Sequence, residues 1–442
     1  MLMLPLDCFF INKFISSFFS LHTQVYSTKA YDSIMTVQNL DTVQTVTLIG
    51  AGPCGCAFAA DLASRGIAVM LYGHPEHRGS IPMVEENDGW IKAEGEVGGT
   101  YRVKTTSDIQ VALEFSPWIV VTVPSYGQNT ILETLSPFDL RNHVLIVNVG
   151  NFFFLSARQA TNAKAVMETD ISPYAVRIEN GVVLVKGVKK RLAIWAAPST
   201  SKLDRHNHHQ AELVLKRQVD AIFSQDLDWC QSLLQVGLNN INPVVHSPAA
   251  LMNTGWIEAT KGDFFFYAQG MSPSVSRVTE HVDEERLAIA RAYGFDLVNI
   301  TDYMNKNYRH GKEFRDYHDF ASGSVIHNKT KSAPKNMNHR YLLEDIGFCM
   351  VPWYEFGLKA GLPSPTIKAI IDLASVVSGF DYLSHKRGLK SAGLGEASKE
   401  QIAVALGGSL DDAPVLPGPL SDAHAKINAL EATAPMQAQV AA

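Results

Sequence analysis

The sequence is short of the features that would direct it to a membrane, to nucleic acid or to an oxidising compartment. Its 442 residues hold five cysteines, an odd and scattered set, so no disulfide framework is written in it and a reducing, cytoplasmic setting is expected. No long basic run is present, and a formal charge of -6 argues against nucleic acid as a partner. Within residues 1–34, Cys8 to Ile11 and Phe14 to Phe19 are largely apolar, but Asp7, Asn12 and Lys13 interrupt the region. No stretch of about eighteen apolar residues accumulates there, so no membrane span is expected. The segment also lacks arginine for a transit peptide and has no basic residue before Lys13 for a signal peptide. It reads as a disordered or artefactual extension, with Met35 as the functional start. What the chain does have is 46% hydrophobic and 19% charged residues, the balance of a globular protein long enough for two domains.

Thr45 to Tyr72, TVTLIGAGPCGCAFAADLASRGIAVMLY, organises the rest. A short β-branched run is followed by Gly50, Gly52 and Gly55 in G-x-G-x-x-G spacing, with Pro53 and Cys54 between them. A helical pattern then ends at Gly66 before a second apolar run. Gly50 permits a tight turn, Gly52 lets backbone approach a pyrophosphate, and Gly55 allows the helix to pack closely on the strand. The helix start offers its N–H groups and positive dipole end to phosphate. These residues predict a Rossmann dinucleotide-binding domain of α/β class.

The second strand lacks the carboxylate that would hold a ribose 2′-hydroxyl, since it ends Tyr72-Gly73-His74 and no acidic residue appears until Glu76. His77 and Arg78 follow, and such basic groups suit a 2′-phosphate. NADP(H) is therefore favoured, with NAD(H) left open.

Further along, Gly89 to Val103 alternates like a small hairpin, residues 107–115 read as a helix, and Trp118 to Val123 reads as a buried strand ending at Pro124. Val123 and Pro124 would face the cofactor crevice. Val144 to Val149 is the next strand, and residues 165–198 continue as strands. Asp204 to His209 carries clustered histidines, but their spacing matches no ligand motif, and a solvated helix approach is expected rather than a metal site. From about 212 the pattern turns helical. The stretch Trp229 to Trp256 is apolar around most of its circumference, as a buried helix would be, with Pro243 and Pro248 expected to kink it on either side of His246. Asp283 to Tyr293 reads as a charged-faced helix. The expected divisions are 40–225 for the Rossmann domain, 226–390 for an all-helical C-terminal substrate domain, and 391–442 for an Ala/Gly/Pro-rich tail with one helix opened by a Ser398-x-x-Gln401 capping box.

Three runs, Pro243 to Asn253, Gly262 to Tyr267 and Met337 to Asp345, together with the glycine turn, resemble the octopine/nopaline dehydrogenase family over roughly residues 45–385. The stretch from Ala68 to Gly95 is most similar to its nopaline branch. The resemblance implies reductive condensation of a 2-oxo acid, 2-oxoglutarate or pyruvate, with the amino group of an arginine-like amino acid. It implies His246 as general acid/base, Asp345 as the carboxylate that holds its tautomer in preference to the neighbouring Glu344, and Arg340 and Asn253 as substrate contacts. Both partners are small molecules, and a homodimer is left open. Two other readings remain: a ketone reductase of the ketopantoate reductase or 3-hydroxyacid dehydrogenase type, which would need no amine, and an NADPH-binding sensor without turnover.

Overall fold

The computed structural model describes residues 42–197, 205–308, 311–385 and 387–407. The extension expected at 1–34, the chain beyond 407, and Asp204 with the histidine side chains at 206–209 lie outside the described residues.

Strand β1 (Thr45–Ile49) leads through the glycine turn into the helix Pro53–Ser64 and returns as β2 (Ala68–Tyr72). There follow β3 (Trp90–Gly95), β4 (Gly99–Arg102), β5 (Lys104–Thr106), β6 (Trp118–Val121), β7 (Val144–Val147) and β8 (Ala165–Thr169). Then come β9 (Tyr174–Glu179), β10 (Val182–Val188), β11 (Arg191–Ala196) and β12 (Asp226–Trp229). Eight of these form one sheet in the order β12-β11-β8-β7-β6-β1-β2-β5. From β8 to β5 the neighbours run parallel, whereas β11 joins β8 antiparallel. Every residue of β7 is buried, the continuous apolar run that a parallel strand in the middle of such a sheet requires. The strand order reverses between β1 and β6, and their C-terminal ends therefore open a crevice beside Gly50 and Thr122.

The expected hairpin forms, with Trp90 opposite Arg102, but it does not stand alone. β9 and β10, expected to continue the strand series, leave the main sheet and extend the hairpin into a second sheet, β4-β3-β10-β9. Alternation explains this: Val183 and Val185 are buried with Ile91 and Ala93, one face only. Tyr174 at the start of β9 donates its hydroxyl to Asp61 at 2.9 Å and sets its ring edge-on to Phe58, docking the small sheet on the glycine-turn helix.

Helix Arg205–Ile222 belongs, with residues 42–44, to a different unit from the two sheets and the helices that follow. Asp226–Trp229, expected to open the helical part, is instead the sheet's edge strand, paired with β11. From Leu233 onward the described residues carry helices and no strand. The apolar stretch after Trp229 is three helices, Leu233–Asn239, Asn242–Met252 and Thr254–Thr260. Its break falls at Asn240-Ile241 rather than at a proline, because Pro243 occupies the first turn, where a missing N–H is harmless. Pro248 lies inside the second helix, which continues to Met252.

The long helix Pro273–Ala292 differs from its charged-faced expectation. Arg286 is fully buried, bonded to Asp283 and to the carbonyls of Leu238 and Val298. Leu394, Ile402, Ala405 and Leu406 are also buried, and the capping box of Ser398 and Gln401 forms, so packing continues to the last described turn. No helix among the described residues is long and apolar enough to cross a membrane.

Candidate active site

The glycine turn has the geometry its spacing predicts. Gly50 has φ +117°, and a Cβ there would lie 2.8 Å from Thr122 Oγ1 at the end of β6. A Cβ on Gly55 would sit 1.9 Å from the Gly50 carbonyl, so helix and turn meet only because both residues are glycine. Gly52 is different: a Cβ there would meet nothing within 4 Å. The space over Gly52 suits close approach by a pyrophosphate. The helix it opens has Pro53 at its start, no side-chain cap and no acidic residue in its first turn, leaving its positive end for a ligand. Cys54 turns its thiol to Asn148 and Ser172, at 3.1 and 3.3 Å, and burial raises its pKa. Burial likewise pushes Cys56 up to about 12, so neither is a ready thiolate. Val123 packs where a Gly50 Cβ would be, and Pro124 carries the chain from β6 into the crevice loop.

The loop after β2 is held against this turn, with Ser80 N donating to the Ala51 carbonyl at 2.8 Å. His77 is exposed and pairs with His74. Arg78 is not a free cation. Its Nη2 donates to both Glu85 oxygens at 2.7 and 2.8 Å, and its Nε to Ser107 at 3.3 Å, so any 2′-phosphate must share it with Glu85.

The helical part brings together His246, Arg340 and Asp345. His246 Nδ1 lies 2.8 Å from Asp345 Oδ2, with the histidine side chain 15% exposed and the aspartate 2%. Tyr341 stacks on the imidazole with centroids 3.9 Å apart, and Phe266 borders it at 6.5 Å. Ser247, the next residue, donates to the Tyr341 carbonyl at 3.0 Å and fixes the two helices in register. The carboxylate leaves Nε2 as the ring's reactive nitrogen. Burial raises the pKa of Asp345, and the bond to His246 opposes that rise.

The turn carrying these residues is unusual. Arg340–Leu343 is α-helical, Ile346–Met350 is a π-helix, and Val351–Lys359 is α-helical again. Asp345 N bonds the Arg340 carbonyl five residues back, at 3.2 Å. The wider winding that begins here leaves Glu344 against Arg340 and Asp345 against His246. His339 starts this helix by accepting from Tyr341 N. Burial first, then the positive charge of Arg340 and more weakly those of His246 when protonated and Arg177, lower its pKa to about 4, which keeps the capping nitrogen an acceptor.

Arg340 is 47% exposed and reaches Glu344 Oε2 at 2.6 Å through Nη2. Asn253, expected as a substrate contact, is bonded locally through its amide nitrogen. Both protons of its amide are taken, by the carbonyls of Ala249 at 2.8 Å and Gly270 at 2.9 Å, so it ties its helix end to the following loop.

The motifs left several residues of the site unseen. Glu344 Oε1 accepts from Ser125 N and Oγ at 2.8 and 3.0 Å, joining the helical part to the crevice loop. Asn151 donates to Ser125 Oγ at 2.8 Å and accepts from Asn240 at 2.9 Å. Asn151 belongs to a turn where Val149, Asn151 and Phe152 all have positive φ, and Arg387 donates to the carbonyls of Gly150 and Asn151 from the other side. The non-glycine positive φ values mark a turn held by its surroundings. The run of Asn and Gly at 148–151 is the sequence signal that could have revealed it.

A dinucleotide turn at the switch point of a doubly wound sheet, bonded directly to a helical part that carries a histidine–carboxylate pair, defines a two-domain nicotinamide-dependent oxidoreductase. Residues 229–378 match the family described as NAD/NADP octopine/nopaline dehydrogenase, alpha-helical domain, and residues 45–188 match NAD-dependent glycerol-3-phosphate dehydrogenase N-terminus. Protein ocs of Agrobacterium vitis is 31% identical over 375 residues, covering 82% of this chain and 99% of that protein. D-nopaline dehydrogenase of the same organism is 26% identical over 330 residues, 68% of this chain and 78% of that one. An octopine dehydrogenase solved with NADH and L-arginine shares the fold, with TM-score 0.56 and 20% identity over 76% of this chain and 90% of its own. The chain belongs to the octopine/nopaline dehydrogenase family: it is a pyridine-nucleotide oxidoreductase acting on CH–NH bonds, whose reaction class is opine synthesis by reductive condensation.

Proposed function

We propose that this enzyme joins a 2-oxo acid, 2-oxoglutarate or pyruvate, to the α-amino group of an arginine-like amino acid, with NADP(H) preferred and NAD(H) accepted. The observation that carries this reading is the His246–Asp345 pair at 2.8 Å beside Arg340. The amine adds to the oxo carbon, water leaves, and the imine carbon is reduced by hydride that the bound dinucleotide supplies. His246 Nε2 takes the proton from the attacking amine and returns it to the departing oxygen, while Asp345 fixes the tautomer and stabilises the imidazolium. Arg340, with only Nη2 committed to Glu344, has a guanidinium edge left for the substrate carboxylate.

The preference for an arginine-like amine draws on the aromatic wall beside His246. Tyr341, Phe266 and Tyr267 succeed one another at 5.2 and 5.6 Å, and His327 lies 4.8 Å beyond Tyr267. Phe266 is fully buried, while Tyr341 and Tyr267 are partly exposed, and it is their rings that suit a flat cationic guanidinium. The preference for NADP(H) draws on the absence of a carboxylate at the end of β2, moderated by the bond between Arg78 and Glu85.

The test is NADPH oxidation, followed by absorbance, with 2-oxoglutarate or pyruvate alone and then with L-arginine or other amino acids. Consumption only when both partners are present supports condensation. Consumption with the oxo acid alone refutes it in favour of a ketone reductase.

A further inference from the structure

Adjacent carboxylates in this site have been given separate partners. Asp345 serves His246. Glu344, 1% exposed, divides its oxygens: Oε2 lies 2.6 Å from Arg340 Nη2, and Oε1 accepts from both the backbone N–H and the hydroxyl of Ser125. Ser125 stands in the loop that leaves β6 at the crevice, directly after Pro124. Its hydroxyl is bonded in turn to Asn151, in the positive-φ turn after β7, and Asn151 to Asn240, at the break between two helices. Arg340 is thus tied through one side chain to the crevice ends of β6 and β7.

The other buried charges among the described residues serve other purposes; Asp61 accepts from Tyr174 and pairs with Arg65. Asp283 and Arg286 pair with each other and cap backbone, Asp170 accepts from Asn239 and local N–H groups, and Arg387 and Glu168 bind the two polar edges of the 150–154 turn. Glu344 alone among these links a half-exposed cation of the candidate site to the crevice loop. A carboxylate buried merely as a domain staple would need only Ser125. An arginine used merely as a staple would not keep 47% of its side chain exposed.

We propose that Glu344 is a positioning residue for the 2-oxo acid: it orients Arg340 relative to the nicotinamide end of the crevice, so that the substrate carboxylate is clamped in register with the loop at Ser125. This rests on the condensation reading, in which Arg340 is the clamp. The substrate class that senses Glu344 is the 2-oxo carboxylate, and the amine should be nearly indifferent to it. A clamp made equally in ground and transition states appears in KM rather than kcat.

Glu344→Gln keeps the size of the side chain and an oxygen for Ser125 but turns an NH2 group toward Arg340. The expected result is a roughly tenfold rise in KM for the oxo acid, between the cost of breaking an exposed ion pair and a buried one. The amine KM, the kcat and its pH profile should move little, since Asp345 is untouched. Ser125→Ala, which deletes one of the bonds to Oε1 and the link to Asn151, should give a smaller rise of the same kind without contacting substrate. Arg340→Lys should raise the same KM, and its combination with Glu344→Gln should be less than additive. Thermal midpoints are measured alongside for every variant. An oxo acid KM within about twofold of wild type in active Glu344→Gln, with any loss confined to the thermal midpoint, would make Glu344 a structural staple and overturn the proposal, as would full additivity with Arg340→Lys. A wild-type enzyme that oxidises no NADPH with both partners present would instead overturn the condensation reading on which the proposal stands.

Discussion

Replacing Asp345 by Asn is the sharpest perturbation the site offers, because it removes one charge and changes almost no volume. In the wild-type enzyme the carboxylate lies 2.8 Å from His246 Nδ1 and is 2% exposed. When His246 takes a proton, the imidazolium and carboxylate attract by about 4 kcal/mol at roughly 4 Å and an effective dielectric constant of about 20. Part of that gain is already offset by keeping the carboxylate out of water, the effect that raises its pKa. An asparagine supplies at best a neutral acceptor. If its NH2 faces the ring, it forces the proton onto Nε2 and removes the base. The expected loss in kcat is about 10²- to 10³-fold, within the usual range for acid/base assistance. KM for either substrate should stay within a few-fold, and the thermal midpoint should not fall steeply, since a costly buried charge has gone. The assay is initial-rate NADPH oxidation at saturating oxo acid and amino acid, with the midpoint measured on the same preparation. A kcat within about threefold of wild type in folded Asp345→Asn would refute the dyad, since acid/base assistance of this kind cannot be lost so cheaply.

Gly52→Ala and Gly55→Ala should separate ligand constraint from fold constraint: the first meets only open space and should fold normally yet bind NADPH at least about tenfold more weakly, whereas the second drives a Cβ into the Gly50 carbonyl and should lower the thermal midpoint sharply. Fluorescence titration and thermal melts of both variants read the difference. Glu85→Gln should release Arg78 and raise the ratio of kcat/KM for NADPH over NADH several-fold, while Arg78→Ala should lower it; equal ratios in all three proteins would remove Arg78 from the 2′-phosphate role. Asp170 is raised to about 7 by burial, so the folded protein binds a proton that the unfolded chain releases near pH 4. Its contribution to stability is therefore present below about pH 4 and is lost as the pH rises toward 7, by at most on the order of 4 kcal/mol. Asp170→Asn should flatten that part of the curve of thermal midpoint against pH, and an unchanged slope would show that the group titrates normally.

The sequence alone determined the dinucleotide turn, because its requirements are local. Gly50 needs its positive φ and Gly55 its contact with the Gly50 carbonyl inside a strand, turn and helix that are consecutive in the chain, and the glycine spacing expresses both; that Thr122 and Val123 also crowd Gly50 was not legible there. The capping box at Ser398 and Gln401 was legible for the same reason. The pairing of His246 with Asp345 was reached through the resemblance of whole motifs, since residues 99 positions apart carry no local mark of their contact.

Tertiary structure decided the rest. Alternation identified β9 and β10 as strands, but strand pairing is non-local, and only packing against Phe58 and Asp61 sends them to the second sheet. Asp226–Trp229 became an edge strand because β11 offered it a hydrogen-bonding partner, which its four residues could not specify. The resemblance implies Asn253 as a substrate contact, and only the fold shows that the carbonyls of Ala249 and Gly270 take both of its amide protons. The division of labour between Glu344 and Asp345 depends on the i,i+4 spacing that puts Glu344 against Arg340, on His246, 99 positions from Asp345, and on Ser125, 219 positions from Glu344. Chain geometry fixes which backbone shapes these residues can take. Which carboxylate finds the histidine and which finds the arginine is set only when distant hydrogen-bonding groups, buried together and cut off from water, must satisfy one another.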